Sequence, residues 1–191
     1  MPCSCHVFSL TGVTMSTILA IDPSLNSTGV AFRLADGNVQ ALCISPSSRR
    51  GLDRIRYVRD VVDTLLNTYS PELVVYEDYA YAFRGKSNAL FSLGELGGVL
   101  KLLLWESGVD ILLVPPTSLK LFATGSGAAK KPEVGLALRA HLGVSFKSDD
   151  QNDAAWLLLL GESWRNPRIL PRDRRHSKRR AVSGCSFIEA I

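Results

Sequence analysis

The architecture of this chain is set by residues 17–44, which read TILAIDPSLNSTGVAFRLADGNVQALCI. The apolar run at 17–21 predicts a buried strand, and Asp22-Pro23 ends it. Two further strand patterns, at 28–34 and 39–44, are separated by four residues that contain Asp-Gly, a strong hairpin signal. We therefore predict that the chain opens with a three-stranded antiparallel meander.

The rest of the body alternates between helical and strand patterns. Apolar residues at helical spacing predict a helix over 52–69, and the continuous apolar run at 73–76 predicts a central strand covered on both faces. A second buried strand is predicted at 111–114, and further helical segments at 87–106, 118–122, 132–142 and 150–164. This order predicts an α/β fold, in which a mixed five-stranded sheet (the meander plus parallel strands) carries helices on both faces.

Composition favours one soluble domain. The chain has 191 residues, of which 46% are hydrophobic and 21% charged, so an ordinary core can form and global disorder is disfavoured. No apolar run is long enough to span a bilayer, and the first basic residue is Arg33, so the basic start of a secretory signal is missing. We expect a cytoplasmic or otherwise intracellular protein with no membrane contact. The four cysteines form no CxxC pair, which disfavours a zinc cage.

The charge is unevenly distributed along the chain. From residue 165 onward there are eight basic and two acidic residues, a charge of +6, which leaves −2 for the rest of a chain whose net charge is +4. We predict a disordered N-terminal extension at 1–15, a folded domain at 16–164 and a basic, disordered tail at 165–191. A basic tail suits a polyanion such as nucleic acid, and a solvated tail without a partner is an equally weighted alternative.

Four carboxylates occupy positions that predict a metal site. Asp22 ends the first strand, Glu77 ends the fourth, and Asp150 and Asp153 lie one turn apart at the start of the last helix. Clustered carboxylates repel one another unless a cation is present, and hard oxygen ligands suit Mg²⁺ or Mn²⁺. Two such ions about 4 Å apart can activate water for phosphodiester hydrolysis. Taken singly, each acid is also compatible with a turn, strand-end or cap role, and we expect Asp149 to cap the last helix.

In this order the motifs resemble those of the RuvC-type Holliday junction resolvases of the RNase H-like superfamily. The resemblance covers residues 18 to about 160. It rests on ILAIDPS followed by Thr28-Gly29, on VYE at 75–77, on SNAL and LGELGG within 87–98, on LK at 119–120 followed by GSGAAKK, and on DQNDAA at 150–155. It implies an RNase H-like fold and a crossover junction endodeoxyribonuclease with two Mg²⁺ ions, for which Mn²⁺ can substitute. It also implies a homodimer that nicks four-way DNA junctions symmetrically, without a nucleotide cofactor.

The resemblance also assigns roles to individual residues. It implies that the four acids bind the metal ions, and that Lys120 and one of Lys130 or Lys131 hold the DNA backbone, with Lys131 aligning better. After Glu77 it places an aromatic side chain near the junction centre, where stacking on a base contributes roughly 1–3 kcal/mol. The alternative is that these aromatics pack the loop onto the body. The candidates in this loop are Tyr79, Tyr81 and Phe83, with Arg84 and Lys86 beside them.

Several alternatives remain open from the sequence. Ser24 replaces the glycine that usually follows Asp-Pro in the family, and the basic tail is not a family feature. A broader structure-specific nuclease acting on branched or forked DNA therefore stays compatible with the residues, as does a non-catalytic DNA-binding module with the same fold. The Gly- and Leu-rich helix at 87–107 can form either a dimer interface or the core of a monomer.

Overall fold

The computed structural model describes residues 18–78, 88–167 and 175–190, so the predicted N-terminal extension lies outside the described residues. Among the described helices, none combines the length and hydrophobicity that crossing a bilayer requires. The helices and strands are, in chain order, β1 (Ile18–Asp22), β2 (Thr28–Arg33), β3 (Val39–Ile44), α1 (Gly51–Tyr69), β4 (Leu73–Glu77), α2 (Asn88–Glu106), β5 (Asp110–Val114), α3 (Pro116–Thr124), α4 (Lys131–Leu142), α5 (Asp149–Arg165), α6 (Arg175–Ser183) and β6 (Ser186–Ile188).

The strands form one mixed sheet in the order β3-β2-β1-β4-β5-β6. The predicted antiparallel meander of β1, β2 and β3 is confirmed, and Gly37 occupies the hairpin turn with a φ of 87°. Strands β4 and β5 extend the sheet in parallel with β1, as expected. A sixth strand, β6, pairs antiparallel with β5 and was not predicted.

Helices cover both faces of the sheet, and the side chains of each central strand alternate between two cores. In β1, Ile18 and Ala20 pack with α3, α4, α5 and α6, whereas Leu19 and Ile21 pack with α1 and α2. This alternation follows from the two-residue period of a strand. Because both faces are covered, β1, β4 and β5 read as continuous apolar runs rather than as alternating ones.

Helix α5 lies unusually close to the sheet, and two glycines permit the approach. A Cβ atom on Gly161 would lie 2.3 Å from Cγ2 of Val75 in β4. A Cβ atom on Gly29 in β2 would lie 2.1 Å from the carbonyl oxygen of Asp150. Real Cβ atoms do not come this near to other heavy atoms, so only glycine allows α5 this position at both ends.

The prediction of a disordered tail was wrong for the part of the tail that the structure describes. Helix α6 packs on α3 through Ala181 and Lys178, which are buried, and the ammonium of Lys178 lies 4.5 Å from the ring centroid of Phe122. The turn after α6 presses Gly184 against Ser118 of α3. Helix α6 has only nine residues, so its sequence shows no extended apolar period, and its order comes from tertiary contacts.

Replacement of Gly161 by alanine tests how tightly α5 is seated. The new methyl group would overlap Val75, so we expect a net loss of about 1–2 kcal/mol in the free energy of unfolding, after the roughly 1 kcal/mol that alanine contributes to helix propensity. Urea unfolding measures this. Gly135→Ala in α4 is the control, because its nearest neighbour would lie at 3.4 Å. Equal stabilities of the two variants would contradict the close packing.

Candidate active site

Two of the predicted acids meet at one edge of the sheet. Asp22 is the last residue of β1 and Glu77 is the last residue of β4, and these strands are parallel neighbours with Ile21 opposite Tyr76. Parallel strands end at the same edge of a sheet, so the two carboxyl groups converge there. They are close enough to share a side-chain hydrogen bond, and Asp22 is only 7% exposed.

Helix α5 brings Asp150 and Asp153 to the same edge. Gly29 lets the first turn of the helix rest directly on the backbone of β2, where the carbonyl of Asp150 lies. Gln151 then ties this turn to β3 by donating its Nε2 hydrogen to the carbonyl oxygen of Ala41 at 2.9 Å. The start of α5 is therefore held by two strands of the meander, and its acids face the ends of β1 and β4.

The cap of α5 differs from the expectation. Ser148, not Asp149, is the cap residue: its Oγ accepts the backbone N–H of Gln151 at 3.2 Å, and the Gln151 side chain accepts the Ser148 N–H at 3.1 Å. This reciprocal pair is a capping box. The sequence carried its signal, since Ser148 and Gln151 stand three residues apart. The capping leaves Asp149 half-exposed, with its Oδ2 3.8 Å from the Nζ of Lys131.

Three of the acids, Asp22, Glu77 and Asp153, have raised pKa values. The pKa of Asp22 is raised well above its usual range, first by burial and then by the charges of Glu77, Asp153 and Asp150. Burial, followed by the charge of Glu77, raises the pKa of Asp153 to about 7. Burial also raises the pKa of Glu77, against the opposing charges of Lys120 and Lys131. The edge of the sheet thus concentrates negative charge that the nearby lysines only partly neutralise.

The donor chemistry of this cluster fits a hard divalent cation. All four predicted ligands offer carboxylate oxygens, and the carboxyl groups of Asp22 and Glu77 lie close enough for each to influence the pKa of the other. Within the ranges that the structure describes, no three aspartate, glutamate, histidine or cysteine side chains are already arranged closely enough to hold a metal ion. The carboxylates therefore gather in one place without forming a closed cage, and a cation would supply the positive charge that the cluster lacks.

The predicted basic residues lie on two different sides of the loop between α3 and α4. Lys120 in α3 and Lys131 at the start of α4 act electrostatically on Glu77, so both face the acids. Lys130 is exposed and lines a groove on the other side of the loop. The loop candidates Tyr79, Tyr81, Phe83, Arg84 and Lys86 lie outside the described residues.

One residue with a positional role had no role assigned from the sequence. Gly29 belongs to a quoted motif, yet its function emerges only from its contact with the backbone of Asp150. A strand glycine signals a close backbone approach in general. The pattern alone does not say which distant segment makes the approach.

Comparison with known proteins agrees with this architecture. The family model described as crossover junction endodeoxyribonuclease RuvC matches residues 18–159. Among similar proteins, RuvC of Prochlorococcus marinus is 30% identical over 152 residues, which is 74% of this chain and 92% of that protein. RuvC of Prosthecochloris aestuarii is 29% identical over 149 residues, covering 74% of this chain and 79% of that protein.

Two solved structures share the fold. The structure of Thermus thermophilus RuvC has a TM-score of 0.60 at 20% identity, over 90% of this chain and 99% of that one. T. thermophilus RuvC in complex with a Holliday junction substrate has a TM-score of 0.62 at 20% identity, over 90% of this chain and 98% of that one. The predicted RNase H-like mixed sheet is thereby confirmed.

Removal of one acid should stabilise the metal-free protein. Because the pKa of Asp22 is higher in the folded than in the unfolded chain, ionisation of Asp22 costs folding free energy once the pH rises above its usual value. In EDTA we expect Asp22→Asn to have a higher thermal midpoint than the wild type, by about 2–4 °C for each kcal/mol of unfavourable free energy that the substitution removes. The difference between the two midpoints should widen from pH 5 to pH 8. Scanning calorimetry measures this difference.

The matched control is Asp60→Asn on the exposed side of α1. The difference in thermal midpoint between Asp60→Asn and the wild type should change little over this pH range, because the carboxylate of Asp60 lies at the surface beside Arg59. A thermal midpoint for Asp22→Asn that stays below the wild-type value at pH 8 would contradict the electrostatic picture of the cluster.

Proposed function

The chain belongs to the RuvC family of crossover junction endodeoxyribonucleases, and from that membership we propose that it cleaves four-way (Holliday) DNA junctions by paired, symmetric hydrolysis of phosphodiester bonds. The activity is that of an endonuclease, which is a hydrolase, and it belongs to DNA recombination and repair. The observation that carries the proposal is the convergence of four carboxylates with two lysines at one edge of the sheet.

The family consists of metal-dependent nucleases, and we propose Mg²⁺ as the metal here, two ions for each active site, with Mn²⁺ able to substitute. Asp22, Glu77, Asp150 and Asp153 would hold the ions. When bound, the metal supplies an activated water and stabilises the charge that develops on the phosphate and the leaving oxygen. The support for this assignment is the all-carboxylate donor set and its uncompensated negative charge.

The three lysines would contact different parts of the DNA substrate. Lys120 and Lys131 face the acids, so they would hold the phosphates on either side of the scissile bond and offset the repulsion between DNA and the cluster. Lysine serves here as a point charge. Lys130 lines the neighbouring groove and would contact DNA farther along the strand.

The loop that follows Glu77 would contact the centre of the junction. Glu77 is the last residue of β4, so this loop leaves the sheet at the edge where the acids lie. One of Tyr79, Tyr81 and Phe83 would stack on an unpaired base, and Arg84 and Lys86 would contact the backbone beside it. These assignments follow the family resemblance together with the starting point of the loop.

A homodimer would supply the second active site that paired nicking requires. Helix α2 exposes a stripe of apolar residues that the monomer leaves uncovered, with Phe91 73% and Leu102 54% exposed, and with Val99 and Trp105 in the same stripe. Among the residues that the structure describes, none places a heavy atom within 4 Å of a Cβ atom built on Gly94 or Gly98. A second copy of α2 could therefore approach closely and bury this stripe.

Cleavage of a labelled synthetic four-way junction tests the proposed activity. In Mg²⁺ we expect symmetric nicks near the junction, and Asp22→Asn should lower the single-turnover rate by about 100-fold or more while junction binding persists. Linear duplex and flap substrates are assayed in parallel for comparison. Comparable cleavage of flaps would instead assign a general branch nuclease, and an unchanged rate in Asp22→Asn would refute the metal role of this acid.

Replacement of Leu102 by glutamate tests the dimer. A charge in the apolar stripe of α2 should convert a dimeric wild type into a monomer, measured by light scattering, and should uncouple the two nicks of a cruciform plasmid. The matched control is Leu136→Glu, which places the same change at an exposed leucine of α4. A monomeric wild type, or a Leu102→Glu variant that remains dimeric, would rule out this interface.

A further inference from the structure

A groove of about 730 Å³ lies on the α4 and α6 side of the sheet, beyond the acid cluster. Its walls are the loop between α3 and α4, one face of α4 that includes Ala140 and His141, and α6 at Lys178. Trp156 of α5 forms part of its lining, and the ring of His141 stacks on it at 5.5 Å between centroids. None of the roles assigned to the four acids uses this groove.

The groove is lined mainly by basic and neutral groups. Lys130 and Lys178 contribute cations from opposite walls, and the nine-residue helix α6 carries four basic residues and no acidic one. Glu133 is an acid in the lining, but its carboxylate already accepts the backbone N–H of Lys130 at 2.6 Å. The groove therefore favours an anionic ligand.

One end of the groove borders the predicted catalytic site. Lys131 faces the acids while the preceding residue, Lys130, faces the groove, so the end of one loop borders both. From Lys130 to His141 the groove follows α4 for about 16 Å, at 1.5 Å per residue. One strand of duplex DNA presents about one phosphate per 3.4 Å of axis, so this length matches roughly four or five consecutive phosphates.

We propose that this groove binds the phosphate backbone of the duplex arm that leaves the catalytic site, with α6 as its outer wall. The inference rests on the proposed function, since DNA is the ligand, and extends it by giving the C-terminal helix a part in substrate binding. Lys178 is only 3% exposed, and its ammonium lies 4.5 Å from the ring centroid of Phe122 and 5.8 Å from that of Trp156. It therefore holds this wall in place, and its charge adds to the positive potential of the groove.

The test uses Ala140→Glu, which adds a negative charge to the groove at an exposed helical position and leaves the core untouched. Junction affinity is measured by fluorescence anisotropy in EDTA over a series of salt concentrations. We expect the Kd to rise about fivefold or more at 0.1 M salt. The slope of log K against log salt should fall in magnitude by about 1 for each DNA phosphate that the protein no longer neutralises.

Two further variants sharpen the measurement. Gln40→Glu on the exposed face of β3 makes the same charge change away from the groove, and it should leave the Kd within about twofold of the wild type. Lys130→Met removes the charge of an exposed lysine in the groove lining, so the slope of log K against log salt should fall in magnitude by about 0.9. The single-turnover cleavage rate at saturating protein should be unchanged in Gln40→Glu, because this residue belongs neither to the acid cluster nor to the groove.

The outcomes separate this inference from the proposed function. If the wild type cleaves junctions but Ala140→Glu binds them as Gln40→Glu does, the groove does not bind DNA and the inference fails alone. If the wild type binds junctions without cleaving them and Ala140→Glu weakens binding, the inference stands while the proposed activity fails. A wild type that binds no DNA overturns both.

Discussion

In this chain the first turn of α5 rests on the backbone of β2 at Gly29, and the arrangement of the four acids follows from that contact. Asp22 and Glu77 end neighbouring parallel strands, so the sheet alone brings them together. Asp150 and Asp153 belong to a helix from the other end of the sequence and reach the same edge only because no side chain separates helix from strand. The capping box at Ser148 and the bond from Gln151 to Ala41 then hold that turn in register.

The site works against the stability of the fold that carries it. The pKa values of Asp22 and Asp153 are raised by burial and then by neighbouring negative charge, so these carboxylates disfavour the folded state at neutral pH in the absence of a cation. Two apolar cores, one on each face of the sheet, provide the opposing free energy. This division is typical of functional sites, where local cost is tolerated because the surrounding structure over-determines the geometry.

The C-terminal segment shows where sequence patterns fall short. Its high charge and lack of period indicated disorder, yet α6 docks on α3 through Lys178 and Ala181, and β6 covers the edge of β5. A three-residue strand and a nine-residue helix are too short to leave a periodic signature, and a buried lysine reads as a surface residue in any composition argument. Their order comes from contacts with elements more than fifty residues earlier in the chain.

The sequence was sufficient to predict the meander, the parallel strands and the helices on both faces, and to single out the four acids that we propose as metal ligands. The reason is that they depend on local periodicity, on turn residues such as Asp36-Gly37 and on the ends of individual strands. Other features required the folded chain: the role of Gly29, the different surroundings of Lys130 and Lys131, the ordered part of the tail and the groove beside α6. Each of these depends on the packing of segments distant in sequence, and a one-dimensional pattern does not encode the distance or direction of such contacts.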